Sequence, residues 1–171
     1  MRSLSPLLLS LAVIACVPRR EPPPPPATPA VVIATPTPAP LGSDWRDWPM
    51  TPGTWSYRQD ARGSLALFGR AQEDATVTLR CDRAARRLYL SRSGEVAGTL
   101  TVRTSSTTRA LAMQPTGGTP PYVATALAAT DPLLDAMAFS RGRFTLEQAG
   151  LPPLVVPPYA EIGRTIEDCR G

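Results

Sequence analysis

A chain of 171 residues with 18 basic and 14 acidic side chains carries a formal charge of +4. It has no histidine, and every cation in it is arginine. That excludes a Ser-His-Asp triad, a Cys-His pair, a histidine metal site, Schiff-base chemistry and a phosphate-binding loop ending in lysine.

The N-terminus opens with Arg2 and a short apolar run that includes Leu7, Leu8, Leu9, Leu11, Ala12, Val13 and Ile14. A positive start, a short apolar stretch and a small residue before a cut form a secretory signal pattern. The run falls short of the roughly 20 apolar residues of a membrane span, and prolines follow it. It ends in Val13-Ile14-Ala15-Cys16. This tetrad resembles the lipobox of bacterial lipoproteins: branched apolar, small or apolar, small, then cysteine. The resemblance implies cleavage before Cys16 and acylation of its thiol, and two or more acyl chains give stable anchoring where one gives only marginal binding. An ordinary secretory cut after Ala15, leaving Cys16 free, and an uncleaved anchor are the competing readings. The expected partition is a signal peptide over 1–15, a lipidated cysteine and proline-rich tether over 16–42, and a globular domain over 43–171.

The tether is marked by the unbroken run Pro22 to Pro26 and by Pro18, Pro29, Pro36, Pro38 and Pro40. Proline lacks the amide donor and fixes φ, so neither a helix nor a central strand forms here. Polyproline II at about 3.1 Å per residue would give a stiff spacer of up to about 75 Å. Docking to a proline-binding partner is the alternative.

Past residue 42 the pattern becomes period two. Trp55 and Tyr57 alternate with polar neighbours, Asp60 to Gly63 turns the chain, and Ser64 to Phe68 returns. Val77, Leu79 and Cys81 alternate with threonine and arginine; after a turn from Asp82 to Ala85, Leu88 and Leu90 alternate in their turn. This is the clearest hairpin in the chain. Further strands are expected around Leu100–Val102, Arg109–Met113, Tyr122–Leu127, Phe144–Leu146 and Leu154–Val156, with a Gly/Pro loop over Gln114 to Pro121. Asp131-Pro132 reads as the N-cap and first residue of a short helix. Ala160 to Arg170 reads as a second, with Ile162, Ile166 and Cys169 on one face. The fold class is mainly β: an antiparallel sandwich or curled barrel with two short helices, the last at the C-terminus.

With Cys16 assigned to lipid, Cys81 and Cys169 remain, and in an oxidising compartment they read as one disulfide. A catalytic thiol is the alternative, but no base is at hand to activate it. Arg80, Arg83, Arg86, Arg87 and Arg92 cluster on the hairpin, opposed only by Asp82. They form a speculative anion site for a phosphorylated glycolipid or cell-wall carboxylates, against the plainer reading of a solvated strand face. Trp45, Trp48 and Trp55 at the start of the domain either stack on sugar rings or a partner surface, or cover the open end of the sheet. The carboxylates Asp131, Asp135, Glu73 and Asp74 are the sole candidates for catalysis, and nothing in their spacing makes a hydrolase pair. No catalytic residue, metal or cofactor is expected.

Two further resemblances bear on the domain. Thr78-Leu79-Arg80-Cys81-Asp82, a turn, then Leu88-Tyr89-Leu90 looks like the opening of periplasmic lysozyme-inhibitor lipoproteins, small β-barrels whose strand cysteine bridges to a late one. It covers about a third of the domain, and the Ser-Gly-x-x-Tyr inhibitory loop of that family is missing, since Ser93-Gly94 is followed by Glu95. Leu134 to Met137, Phe144 to Leu146 and the final helix are similar to the C-terminal half of invasion-associated locus B-like periplasmic domains, whose extra cysteines are missing here. The all-arginine, proline-tethered style resembles lipoproteins of alphaproteobacteria. The expectation is a non-enzymatic envelope lipoprotein facing the periplasm. It would be membrane-bound through lipid and partnered by an anionic envelope component or an envelope protein, with no nucleic acid. Inhibition of a cell-wall hydrolase is the alternative.

Overall fold

A computed structural model describes residues 41–171; the expected signal peptide, Cys16 and nearly all of the expected tether lie outside the described residues. Nine strands, β1 (Thr54–Asp60), β2 (Gly63–Gly69), β3 (Val77–Asp82), β4 (Arg87–Ser93), β5 (Gly98–Arg103), β6 (Thr108–Pro115), β7 (Tyr122–Ala128), β8 (Phe144–Gln148) and β9 (Leu154–Val156), form one antiparallel sheet. Helix α1 (Pro132–Ala138) precedes β8, and α2 (Ala160–Arg170) closes the fold. The mainly β class with two short helices is therefore the observed one.

Local chemistry sets the turns. In the β1–β2 turn, Asp60 Oδ1 accepts the amides of Arg62 and Gly63 at 3.0 and 3.2 Å. Gly63 has φ +151°, and a Cβ there would lie 2.5 Å from the carbonyl oxygen of Cys81, so the turn needs glycine both for its backbone and for its closeness to β3. In the β3–β4 turn, Asp82 Oδ1 accepts the Ala85 amide at 3.1 Å and Arg86 takes φ +50°. The register Cys81↔Leu88 and Asp82↔Arg87 follows from this turn.

The strand order is β1-β2-β3-β4-β7-β6-β5-β8-β9. β4 pairs with β7 rather than with β5, which places the β5–β6 hairpin outside the β4–β7 pair. β6 is the seam: Thr108 to Met113 pair with β5, while Gln114 and Pro115 pair with Ala124 and Val123 of β7. All nine strands and both helices contribute to a single hydrophobic cluster. One flat sheet could not do this, so the sheet curls around its own inner face.

It does not close into a barrel, because β1 and β9 are not paired with each other. Instead, Trp55 Nε1 of β1 donates to the carbonyl of Pro157, just past β9, at 2.8 Å. The outer edge of β9 is occupied by Thr51, whose amide donates to Val155 O and whose hydroxyl accepts the Val155 amide, both at 2.9 Å. Helix α2 packs on β1 to β4 through Ile162, Thr165, Ile166 and Cys169, the i, i+3, i+4, i+7 stripe of an amphipathic helix.

A disulfide joins Cys81 to Cys169, with Cα atoms 5.4 Å apart. It fixes α2 to the inner face of β3. Arg170 strengthens the same end: it pairs with Asp135 of α1 at 2.9 Å and donates from Nε to Ala129 O at 3.0 Å.

Candidate functional site

The five arginines singled out in the sequence do not converge. β4 has Leu88, Leu90 and Arg92 on its buried side, so Arg92 points into the core while Arg87 points out. Arg92 is 2% exposed and has no carboxylate partner among the described residues. Its guanidinium donates to Pro152 O at 3.1 Å and, at the long limit of 3.5 Å, to Leu146 O. Burial lowers its pKa from the usual arginine value. Its place is that of a cross-core tie between β4 and the β8–β9 segment.

The other four lie at or near the hairpin tip, and the side chains of two of them, Arg80 and Arg86, have partners in the fold. Arg80 forms an ion pair with Asp60 at 2.9 Å. That contact leads the forces holding the Asp60 carboxyl below its ordinary range. Arg86 donates to Arg170 O at 3.0 Å, at the C-terminal end of α2, where a cation suits the helix dipole. Burial pushes the Asp168 carboxyl up, while the Tyr57 hydroxyl, bonded at 2.5 Å, the Ser64 hydroxyl and the charges of Arg164 and then Arg83 bring it below its ordinary value. Arg164 in turn lies over the Tyr57 ring, 3.9 Å from its centroid. Arg83, Arg86 and Arg87 remain exposed at the tip.

The carboxylates weighed for catalysis are spread apart. Asp131 caps α1, accepting the Leu133 amide at 2.9 Å, and pairs with Arg109 at 2.6 Å. Asp135 pairs with Arg170. Glu73 and Asp74 lie in the loop between β2 and β3, with Glu73 near Arg70. Burial raises the Asp131 pKa, but the Arg109 contact and the Leu133 amide outweigh it, and the net shift is downward. A carboxylate with a lowered folded pKa stabilises the fold above its unfolded value, near 4, and loses that contribution as pH falls through the lower folded one. Asp131→Asn is therefore expected to flatten the loss of stability as pH falls below about 4, and Asp131→Ala to cost about 1 kcal/mol at neutral pH through the lost cap. Denaturant midpoints measured across that range check both; an unchanged acid limb in Asp131→Asn removes the assignment.

A second region was not visible in the sequence. A groove of about 440 Å³ lies against the outer face of β5 and β8, lined by Trp48, Thr99, Thr101, Glu147, Leu151 and Pro153 among others. Its residues come from three separate parts of the chain. Thr101 and Glu147 are direct cross-strand partners. Glu147 Oε1 accepts from Thr145 Oγ1 at 2.9 Å and from Arg103 Nε at 3.3 Å, so the carboxylate is oriented and its charge is balanced. Trp48 follows a short 3-10 helix, Trp45–Asp47, and is fixed twice: its Nε1 donates to Gly42 O at 2.6 Å, and its carbonyl accepts from Arg143 at 2.6 Å. Trp45 and Trp55 are buried, at 8% and 5% exposure, while Trp48 is half-buried. The cover role expected of the tryptophans thus fits two of the three.

On the far side of the β8–β9 loop a cavity of about 400 Å³ lies between Gly94–Ala97 and Gln148–Leu151. Gln148, 7% exposed, donates from its amide to Val96 O at 3.1 Å across it. No group of three metal-ligating side chains comes together among the described residues, and no described helix is long and apolar enough to cross a membrane. Comparison with protein families, with curated proteins and with solved structures finds no match to this chain.

Proposed function

We propose that this chain is a lipid-anchored protein of the bacterial cell envelope. Its proline-rich tether carries a disulfide-stapled β domain that binds another envelope component without catalysing a reaction. The observation that carries the reading is the set of three cysteines. Cys81 and Cys169 bond to each other, which leaves Cys16 as the odd one, directly behind an apolar segment and in the Val13-Ile14-Ala15-Cys16 setting. A disulfide also suits an oxidising compartment. The non-enzymatic part is supported by the engagement of Asp131, Asp135 and Asp60 with three different arginines. The reading of an anionic partner now rests on Arg83, Arg86 and Arg87, since Arg80 is engaged by Asp60 and Arg92 is enclosed.

Metabolic labelling with an alkyne fatty acid tests the anchor. The expected result is label on the wild-type chain, an N-terminus at Cys16, and recovery in the membrane fraction. Cys16→Ala should abolish the label and leave an uncut precursor. An intact, unacylated Met1 terminus in the cytosolic fraction overturns the proposal.

One observation favours the alternative, a periplasmic inhibitor of a cell-wall hydrolase. The Cys81-Asp82 hairpin forms and its cysteine bonds to a late one, as in the inhibitor family it resembles. Lysozyme inhibition by the full chain separates the two readings.

A further inference from the structure

We propose that the groove between Trp48 and the outer face of β5–β8 binds a short glycan of pyranose units. Trp48 gives one wall a broad apolar surface that is half-buried and held in place by two hydrogen bonds. Thr99 and Thr101 stand on the same face of β5, two residues apart, so their hydroxyls are spaced about 6–7 Å along the strand. Glu147 lies across from Thr101, with Oε1 taken by Thr145 and Arg103 and Oε2 left to receive a ligand hydroxyl.

The charge balance narrows the ligand. Glu147 and Arg103 form an ion pair at 3.3 Å, so the groove has no net charge to attract an anion or a cation. Beside Trp48, Leu151 and Pro153, an acyl chain would leave the Thr99 and Thr101 hydroxyls and Glu147 Oε2 covered without a hydrogen-bonding ligand, which disfavours it. The backbone there is already paired on both sides, β5 lying between β6 and β8, so no peptide strand can be added. A ligand with hydroxyl groups on its rim and an apolar C–H face is what remains, and a sugar ring is that ligand. The volume of about 440 Å³ lies within the range of small-molecule sites and has room for two or three rings.

The envelope reading above enters only as the source of the glycan, because it would bring the domain to cell-wall sugars. The test therefore uses purified sugars. Full-length protein in detergent micelles is titrated by calorimetry with triacetylchitotriose, cellotriose and maltotriose. Saturable binding of at least one is expected. Trp48→Ala should weaken it by about tenfold or more, Glu147→Gln by several-fold, and Trp48→Phe should retain it. Because Trp48→Ala could disturb the 41–53 segment, Thr101→Val is included; it alters only the strand face and is also expected to weaken binding. No saturable heat with any of the three sugars overturns the proposal, as does binding that Glu147→Gln and Thr101→Val both leave unchanged. Neither result touches the fatty-acid label on Cys16, so the groove and the anchor can fail separately.

Discussion

A Cys81→Ala/Cys169→Ala double variant is expected to lose about 4–5 kcal/mol of stability, because the bond closes a loop of 88 residues and long loops gain most from cross-linking in the chain-entropy model. That is comparable to the whole stability of many domains of this size, about 5–15 kcal/mol. The loss should have a particular form. α2 is held to the sheet by the bond, by the stripe Ile162, Thr165, Ile166 and Cys169, and by Arg170. Without the bond, α2 should loosen first and uncover Phe68, Leu79 and Leu88. Urea titration of the oxidised, reduced and double-Ala proteins, read by hydrogen exchange on 160–170 and on β2–β4, checks this. A midpoint shift worth less than about 1 kcal/mol would falsify the staple role.

The second large effect is expected at Phe68. It is fully enclosed, pairs with Trp55 on β1 and Val77 on β3, and its ring lies 5.4 Å from that of Trp55 in a tilted arrangement. Phe68→Ala should cost about 3–5 kcal/mol from lost burial and the cavity left behind, and Phe68→Leu markedly less. The reason is positional. Phe68 supports Trp55, and Trp55 reaches Pro157 O across the gap between the two ends of the sheet. A cavity at 68 therefore slackens the one indole bond that ties β1 to the chain beyond β9. Thermal unfolding of the two variants, with tryptophan emission as a second probe, measures both the cost and the link. Equal losses in Ala and Leu would mean that the ring's shape, not its volume, is what the site requires.

Much of this architecture can be read from the residues. The hairpin of β3 and β4 is written in alternation, with Val77, Leu79 and Cys81 answering Leu88 and Leu90, because one face of each strand is buried and the other is not. The caps of α1 and the stripe of α2 are local signals, and the structure has both. The same alternation also foretells Arg92: it is two residues beyond Leu90 and so shares its side, and treating all hairpin arginines as one cluster overlooked that parity. What could not be read is order. Nothing local tells β4 to leave β5 and pair with β7, since that choice depends on how the whole core closes. The groove at Trp48 is hidden for the same reason. Trp48 and Glu147 are far apart in sequence and meet only once the first segment lies along β8 and β9.

The bond between β3 and α2 also sets a schedule. A chain is made from its N-terminus, and six more strands follow β3 before Cys169 appears. Throughout that interval Cys81 waits with its thiol open, and Cys16 is the one other sulfhydryl it could meet. Fatty acylation of Cys16, as proposed above, would remove that wrong match. With Cys16 blocked in that way, Cys169 would be the one thiol of this chain left for Cys81 to pair with.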